Sequence, residues 1–281
     1  MMAERILVLG ATGLLGKPVA DRLIADGFQV RLMVRDIEKA KGLFAESVEI
    51  LEGDVTDKEA LAHAMRDCMG VHISIGGDVD QISAENVAYL APALDIERIT
   101  YISGATVDEA NRWFPMTAQK LNAERAIREC SVPFTFFRPT WPMEQLARFA
   151  RGGKPSLIGK QPIPVHWFAA EDLARMVSIA YVTEASANKH LYVFGPEAMT
   201  MKDALERYCE VFYPEGDPVS VMPIWLAKTL GTLTGNVTLK YAANLMGYFD
   251  KIGELGDPSE ANQILGAPVT TLETWMESRK A

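Results

Sequence analysis

Cysteine is scarce in this chain: Cys68, Cys130 and Cys209 are the only three among 281 residues, widely spaced and with no C-x-x-C pair. That excludes a disulfide-stapled fold. With only four scattered histidines, it also leaves no zinc-ligand spacing, so no metal is expected. The thiols read as reduced and largely buried, which suits a cytoplasmic protein. Long apolar runs are also missing, and nothing approaches the ~20 residues of a membrane-spanning helix. Glu4 interrupts what would be the basic region of a signal peptide, and no cleavage pattern follows, so the first apolar run is read as a strand. Basic residues are outnumbered, 28 against 37 acidic, for a net charge of −9. A broad nucleic-acid footprint is thereby excluded, although a local basic pocket for one phosphate is not. There is no repeat, low-complexity tract or flexible linker.

What the chain does have is a glycine turn. Arg5-Ile6-Leu7-Val8-Leu9-Gly10-Ala11-Thr12-Gly13-Leu14-Leu15-Gly16 reads as a buried strand, a tight turn and a helix start. Leu15, Val19 and Leu23 continue at helical spacing. Such a junction gathers backbone N–H groups and the positive end of a helix dipole where a pyrophosphate can sit. Gly10 permits the turn, Gly13 lets the phosphates approach, and Gly16 lets helix and strand pack closely. The Gly-x-x-Gly-x-x-Gly spacing around Ala11-Thr12 resembles the short-chain dehydrogenase/reductase superfamily in its extended or atypical branches.

From residue 4 to about 138, strand-like and helix-like segments alternate. Strands are expected at 4–9, 28–34, 48–52, 70–75, 98–103 and 133–138, with helices near 13–26, 37–45, 57–67, 82–95 and 116–130. Alternation of this kind predicts an α/β fold, a Rossmann-like doubly wound parallel sheet with helices on both faces. Its ligands sit beyond the carboxyl ends of the strands. Residues 1–140 are read as the dinucleotide-binding core, with the sheet completed from 163–195. Residues 141–281 are read as a smaller, mainly helical substrate-side lobe rather than an independent domain, with a helix at 170–183, a strand at 190–194 and a helix at about 200–213.

The residues just after each strand are the candidates for chemistry. Arg35 closes the second strand, where an arginine suits the 2′-phosphate of NADP and an acidic residue would suit NAD. NADP is therefore favoured over NAD; Asp36 next to it points outward or caps the following helix, and Arg35 itself has the plain alternative of a solvated strand-end charge. In the resembling family Asp54 and Val55 lie beside the adenine; the plain alternative for this stretch is helix capping, since Thr56 and Asp57 are good N-cap residues, and Asp54 and Asp57 need not share one role. Ser74 and Gly76 end the fourth strand and let the backbone approach the cofactor's ribose and phosphate.

Ser103 ends the fifth strand. The family places a serine there and a Tyr-x-x-x-Lys pair on the next helix, the tyrosine donating a proton and the lysine holding the nicotinamide ribose. Here Lys120 is present, but the position four residues earlier is Met116, whose thioether donates no proton. Ser103 and Lys120 are the candidate catalytic residues, Ser103 to orient an acceptor oxygen. Lys120 is also a cofactor anchor, with the alternative of a helix-surface lysine beside Glu124. Phe137-Arg138-Pro139-Thr140-Trp141 resembles the Arg-Pro segment of NmrA-like proteins, which implies that Pro139 and Trp141 pass the nicotinamide. Trp141, Met143 and His166 are read as substrate-pocket residues; the first two are also plain core candidates, and His166 is either a proton source or a packed histidine.

Residues 222–249 are rich in large apolar side chains, among them Trp225, Leu230, Leu233, Tyr241, Met246 and Tyr248. Helical core is expected for most of them, with a greasy pocket, a subunit contact or a membrane surface as alternatives. The resemblance implies an NADPH-dependent oxidoreductase acting on a small apolar acceptor such as a quinone or enone, or a non-catalytic NADP-binding redox sensor. The expected partners are a small-molecule substrate and, through the C-terminal helices, further copies of the chain; no nucleic acid and no membrane span are expected.

Overall fold

The computed structural model describes residues 4–280. The chain forms two compact units: one runs to Pro139 and includes Ala170–Val193 and Gly256–Pro268; the other holds Thr140–Ala169, Phe194–Leu255 and the chain from Val269. In chain order the elements are β1 Arg5–Leu9, α1 Gly16–Ala25, β2 Gln29–Val34, α2 Ile37–Lys41, β3 Glu49–Glu52, α3 Lys58–Met65, β4 Gly70–Ile73, α4 Asp80–Leu90, β5 Arg98–Ile102, α5 Pro115–Glu129 and β6 Phe134–Pro139. There follow β7 Trp141–Pro142, α6 Leu146–Phe149, β8 Ser156–Ile158, β9 Val165–Phe168, α7 Ala170–Val182, β10 Lys189–Val193, β11 Glu197–Met199, α8 Met201–Phe212, β12 Ser220–Met222, α9 Ile224–Leu233, α10 Val237–Phe249, α11 Ser259–Leu265 and α12 Leu272–Ser278.

In the first unit, seven strands lie in the order β10-β6-β5-β4-β1-β2-β3, and every pairing is parallel. This is the doubly wound arrangement, and its order reverses between β1 and β4. The central strand shows why the sequence folds this way. Ile6, Leu7, Val8 and Leu9 are all fully buried, as a run of branched and long aliphatics must be when helices cover both faces of a parallel sheet. On one face α3, α4 and α5 close over Leu7, Leu9, Val71, Ile99 and Tyr101. On the other, α1 packs against α7, where the Ser178 hydroxyl donates to Asp26. The helix expected from residue 13 begins at Gly16, because residues 10–15 are spent on the turn. The helix expected to reach residue 45 stops at Lys41.

The second unit has a three-stranded sheet in the order β11-β9-β7 and a two-stranded sheet of β12 with β8. Its core gathers Met143, Leu146, Leu157, Trp167, Leu205, Tyr208, Leu272 and Trp275. The short strands β7, β8, β11 and β12 lie in stretches where two or three residues give no period to read. The expectation of helical core at 222–249 is corrected. Among α9 and α10 only Ala227, Gly231, Ala243, Met246 and Tyr248 are buried, while Trp225, Leu230, Leu233, Val237 and Tyr241 are exposed. No helix among the described residues is long and apolar enough to cross a membrane.

Candidate dinucleotide site

The glycine turn between β1 and α1 is built from three different constraints. Gly10 has φ +85°, and a Cβ there would stand 2.2 Å from the Ser74 carbonyl oxygen. Gly16 carries a matching constraint, since its Cβ would fall 2.2 Å from the Gly10 carbonyl oxygen. Between them the Gly13 N–H donates to the Gly10 carbonyl at 2.9 Å, which closes the turn, and Gly13 itself is exposed. Thr12, Leu14 and Leu15 are partly exposed around it. Leu15 is the N-cap of α1 and has no side-chain oxygen to offer the first-turn N–H groups. A cradle that a Cβ would fill, at a helix start without a side-chain cap, fits a pyrophosphate.

Arg35 follows β2 and is exposed. The Asp36 side chain accepts from the Lys39 N–H at 2.9 Å and so caps α2, which settles its part in the Arg35-Asp36 pair. Asp54 accepts from both the backbone N–H and the hydroxyl of Thr56, at 2.8 and 2.7 Å. These bonds hold its carboxyl below the usual range, with a smaller contribution from the Arg35 charge. The capping of α3 falls to Asp57, which accepts from Glu59 and Ala60. The carbonyl of Val55 accepts from Asn86 at 2.9 Å. At the end of β4 the Ser74 N–H donates to Leu9 at 3.0 Å, and Gly76 opens onto free space.

The candidate catalytic residues lie deeper. Lys120 is buried on α5, and its ammonium pairs with the Asp80 carboxylate at 2.7 Å, donates to the Ile102 carbonyl at 2.7 Å and stands over the Tyr101 ring at 4.6 Å. The alternative of a surface lysine beside Glu124 is corrected on both counts: the side chain is buried and its carboxylate is Asp80. Glu124 instead receives Arg138, at 3.0 Å from Nε and 2.5 Å from Nη2, and the Ser103 hydroxyl at 2.6 Å. Arg138 also donates to the Tyr192 hydroxyl at 3.0 Å. Tyr101, the tyrosine beside Lys120, is fully buried and its hydroxyl donates to Asp80 at 3.0 Å. Burial, and then the Asp80 charge, push that phenol well above its ordinary range, so it does not stand in for the tyrosine missing at Met116. Met116 itself is half-buried on the first turn of α5.

Asp80 was not singled out from the sequence, and Glu124 was named only as a surface neighbour of Lys120. A signal existed: Thr117, Lys120, Glu124 and Ile127 share the inward stripe of α5, and charges at inward positions require opposite charges to meet them. Pro139 ends β6, buried, with its carbonyl accepting from Ala105 at 2.9 Å.

Three expected residues belong to the second unit. Trp141 is half-buried against Phe249, Phe149 and Trp167, at ring distances of 4.9, 6.2 and 6.3 Å. Met143 is fully buried in that unit's core. His166 pairs through Nδ1 with Glu254, which also accepts from the His166 backbone N–H at 3.0 Å, and its ring stacks on Phe194 at 5.2 Å. Glu254 is a partner that sequence spacing does not reveal, 88 residues away. Among the described residues no group of His, Cys, Asp and Glu is arranged to hold a metal.

Comparison with known proteins agrees with this geometry. The family profile described as NAD(P)H-binding matches residues 10–170. Over 201 residues the chain is 30% identical to a (4-alkanoyl-5-oxo-2,5-dihydrofuran-3-yl)methyl phosphate reductase of Streptomyces griseus subsp. griseus, covering 70% of each chain. In fold it is similar to the Citrobacter sp. triphenylmethane reductase complexed with NADP(H), with TM-score 0.77 and 22% identity over 98% of this chain and 99% of that one. It is equally similar to an NADPH-dependent quinone oxidoreductase of Escherichia coli complexed with NADPH, with TM-score 0.77 and 20% identity over 98% and 100%. The glycine turn opens the matched segment, the parallel sheet is that of the related structures, and the chain belongs to the NAD(P)H-binding oxidoreductase family.

Proposed function

We propose that the protein binds NADPH in preference to NADH and reduces a small apolar acceptor such as a quinone or an enone. The cofactor, when bound, supplies a hydride. The chain's own residues do the rest: the Gly10–Gly16 turn receives the pyrophosphate, Arg35 grips the 2′-phosphate, Asp54 and Val55 flank the adenine, and Ser74 and Gly76 let the backbone come close to ribose and phosphate. The Arg35 assignment is supported by the commitment of Asp36 to its helix, which removes the carboxylate that would compete for a 2′-hydroxyl.

The observation that carries the reaction class is a glycine turn suited to a dinucleotide in a chain whose α5 holds Met116 where the resembling family has its proton-donating tyrosine. Met116 replaces the tyrosine, Tyr101 is sealed against Asp80, and Lys120 and Ser103 are held by Asp80 and Glu124. Reduction of a simple carbonyl needs a proton delivered to its oxygen in the site. A quinone, whose reduced form takes its proton from water, needs none of these side chains. On this reading Lys120 and Ser103 are positioning residues that tie α5 to α4, β5 and β6.

The same internal commitment of Ser103 and Lys120 supports a second reading, an NADP(H)-binding redox sensor without turnover. One experiment separates them. NADPH and NADH are titrated by fluorescence into the wild type and Arg35→Ala, and NADPH consumption is then followed with menadione and cyclohexenone. Removing the charge-assisted bonds of Arg35 is expected to weaken NADPH about tenfold to a hundredfold and leave NADH unchanged. Consumption with either acceptor supports the enzyme; tight binding without consumption supports the sensor. Equal loss for both nucleotides in Arg35→Ala sinks the NADP assignment.

A further inference from the structure

The α9–α10 hairpin is built inside out for water. Its two helices meet through small residues: Ala227 and Gly231 on α9, Ala243 and Gly247 on α10, each pair four apart. A Cβ on Gly231 would stand 2.8 Å from the Lys240 backbone nitrogen, so the helices approach as closely as backbones allow. Four large apolar side chains point the other way, with Trp225 68% exposed, Leu233 79%, Val237 77% and Tyr241 55%, while Met246 and Tyr248 toward the end of α10 stay buried. A hairpin that seals itself in water buries its large side chains and exposes its polar ones. Small residues inside and large apolar residues outside is the packing used where the surroundings are themselves apolar.

Three more observations name those surroundings. The hydroxyls of Thr229, Thr232 and Thr234 donate to the carbonyls of Trp225, Lys228 and Leu230 on their own helix, at 2.9, 2.9 and 2.6 Å. Their hydrogens are thereby satisfied without water, as for threonines facing lipid. The residues are also graded along the hairpin. Leu233 and Val237 flank the turn, Tyr241 lies about 6 Å behind it and Trp225 about 12 Å, by the rise of a helix. Aliphatics lead and aromatics follow, which is their order across a membrane–water boundary. Finally, from Pro218 to Phe249 the only charges are Lys228 and Lys240, in a chain whose net charge is −9. Two lysines and no acidic residue in this segment fit an anionic surface, whereas a two-fold contact of the hairpin with its own copy would bring like charges together.

We infer that the α9–α10 hairpin is a membrane-surface anchor, dipping Leu233 and Val237 into the headgroup–acyl boundary of an anionic bilayer while Trp225 and Tyr241 sit at headgroup level. It does not span the bilayer; it holds the protein where apolar substrates dissolve. The inference stands on the hairpin alone and does not depend on the reaction proposed above.

The test is flotation of the full chain with vesicles of phosphatidylcholine, with and without phosphatidylglycerol. The wild type is expected to float with the mixed vesicles, and the combined Leu233→Asp and Val237→Asp variant to remain at the bottom of the gradient. Both positions are exposed, so the variant retains its fold, checked by an unchanged NADPH titration and melting temperature. Lys228→Gln and Lys240→Gln are each expected to weaken partition to the mixed vesicles about fivefold. Absence of flotation overturns the inference, as does flotation that survives the two aspartates. A wild-type dimer that the aspartates dissociate, with no lipid binding, makes the face a subunit interface and equally overturns it.

Discussion

Replacing Lys120 by methionine separates an ion-pair clamp from a cofactor anchor. Methionine keeps most of the aliphatic stem and deletes the charge. The Lys120 and Asp80 side chains are 11% and 3% exposed and their charged atoms 2.7 Å apart. Deleting the ammonium therefore leaves a carboxylate in a nearly dry site, with the Tyr101 hydroxyl at 3.0 Å as its remaining donor from this cluster. Stranding one member of a buried pair costs about 3–5 kcal/mol. Lys120→Met is expected to lose that much in urea unfolding. Adding Asp80→Asn removes the stranded charge and is expected to recover a part of the order of 2 kcal/mol, read as a coupling energy in the double-mutant cycle. NADPH affinity, titrated under conditions where the variant remains folded, is expected to change by less than about threefold, which is ~0.6 kcal/mol. A loss of stability below about 1 kcal/mol together with an affinity drop of tenfold or more refutes the clamp and returns Lys120 to the ribose.

Other expectations concern the turn and the pH dependence of the first unit. Gly16→Ala puts a methyl carbon 2.2 Å from the Gly10 carbonyl oxygen, so the turn must open; NADPH binding is expected to be lost in titration while circular dichroism still reports a folded chain. Gly42→Ala, whose added methyl meets nothing nearer than 3.6 Å and lies outside the proposed site, is the matched control for folding. His72 on β4 is fully buried with Nδ1 2.8 Å from the Thr100 hydroxyl, and burial lowers its pKa from 6.5 to about 3. The depressed value means that the unfolded chain binds the proton first as pH falls. The contribution of His72 is thus fully present above pH 6.5 and is lost progressively down to about pH 3. At about pH 5 the loss is ~2 kcal/mol relative to neutral pH. Urea unfolding of the wild type and His72→Asn at both pH values is expected to differ by that amount in its pH dependence; parallel pH dependence in the two proteins counts against it.

Much of the fold was legible because its signals are local. A fully buried aliphatic strand, a glycine turn and a helix with an apolar stripe are each specified within about a dozen neighbouring residues, and their alternation selects a parallel sheet. The same is true of the glycine turn, since the constraints on Gly10 and Gly16 arise within it and at the neighbouring strand end at Ser74. The tyrosine missing at Met116 was likewise visible once the helix carrying Lys120 was set against the pattern of the family that the glycine turn resembles. The partners of the charges on α5 were not legible. Lys120 and Glu124 have the spacing of an intrahelical pair, yet Lys120 joins Asp80, 40 residues earlier, and Glu124 joins Arg138, 14 residues later. Only the superposition of α4, α5 and β6 on one sheet decides between those carboxylates.

The final hairpin marks the same boundary from the other side. Its composition announced apolar helix, and that much the sequence by itself determined, together with the α/β class, the glycine turn and the methionine at position 116. Which face of each helix turns inward was decided by tertiary structure, because burial depends on what the surrounding chain offers. Here Gly231 lies close against Lys240 at the helix–helix contact, and Trp225 and Leu233 are left outside. Periodicity records which residues share a face; whether that face meets protein, water or lipid is set by the shape of its neighbours.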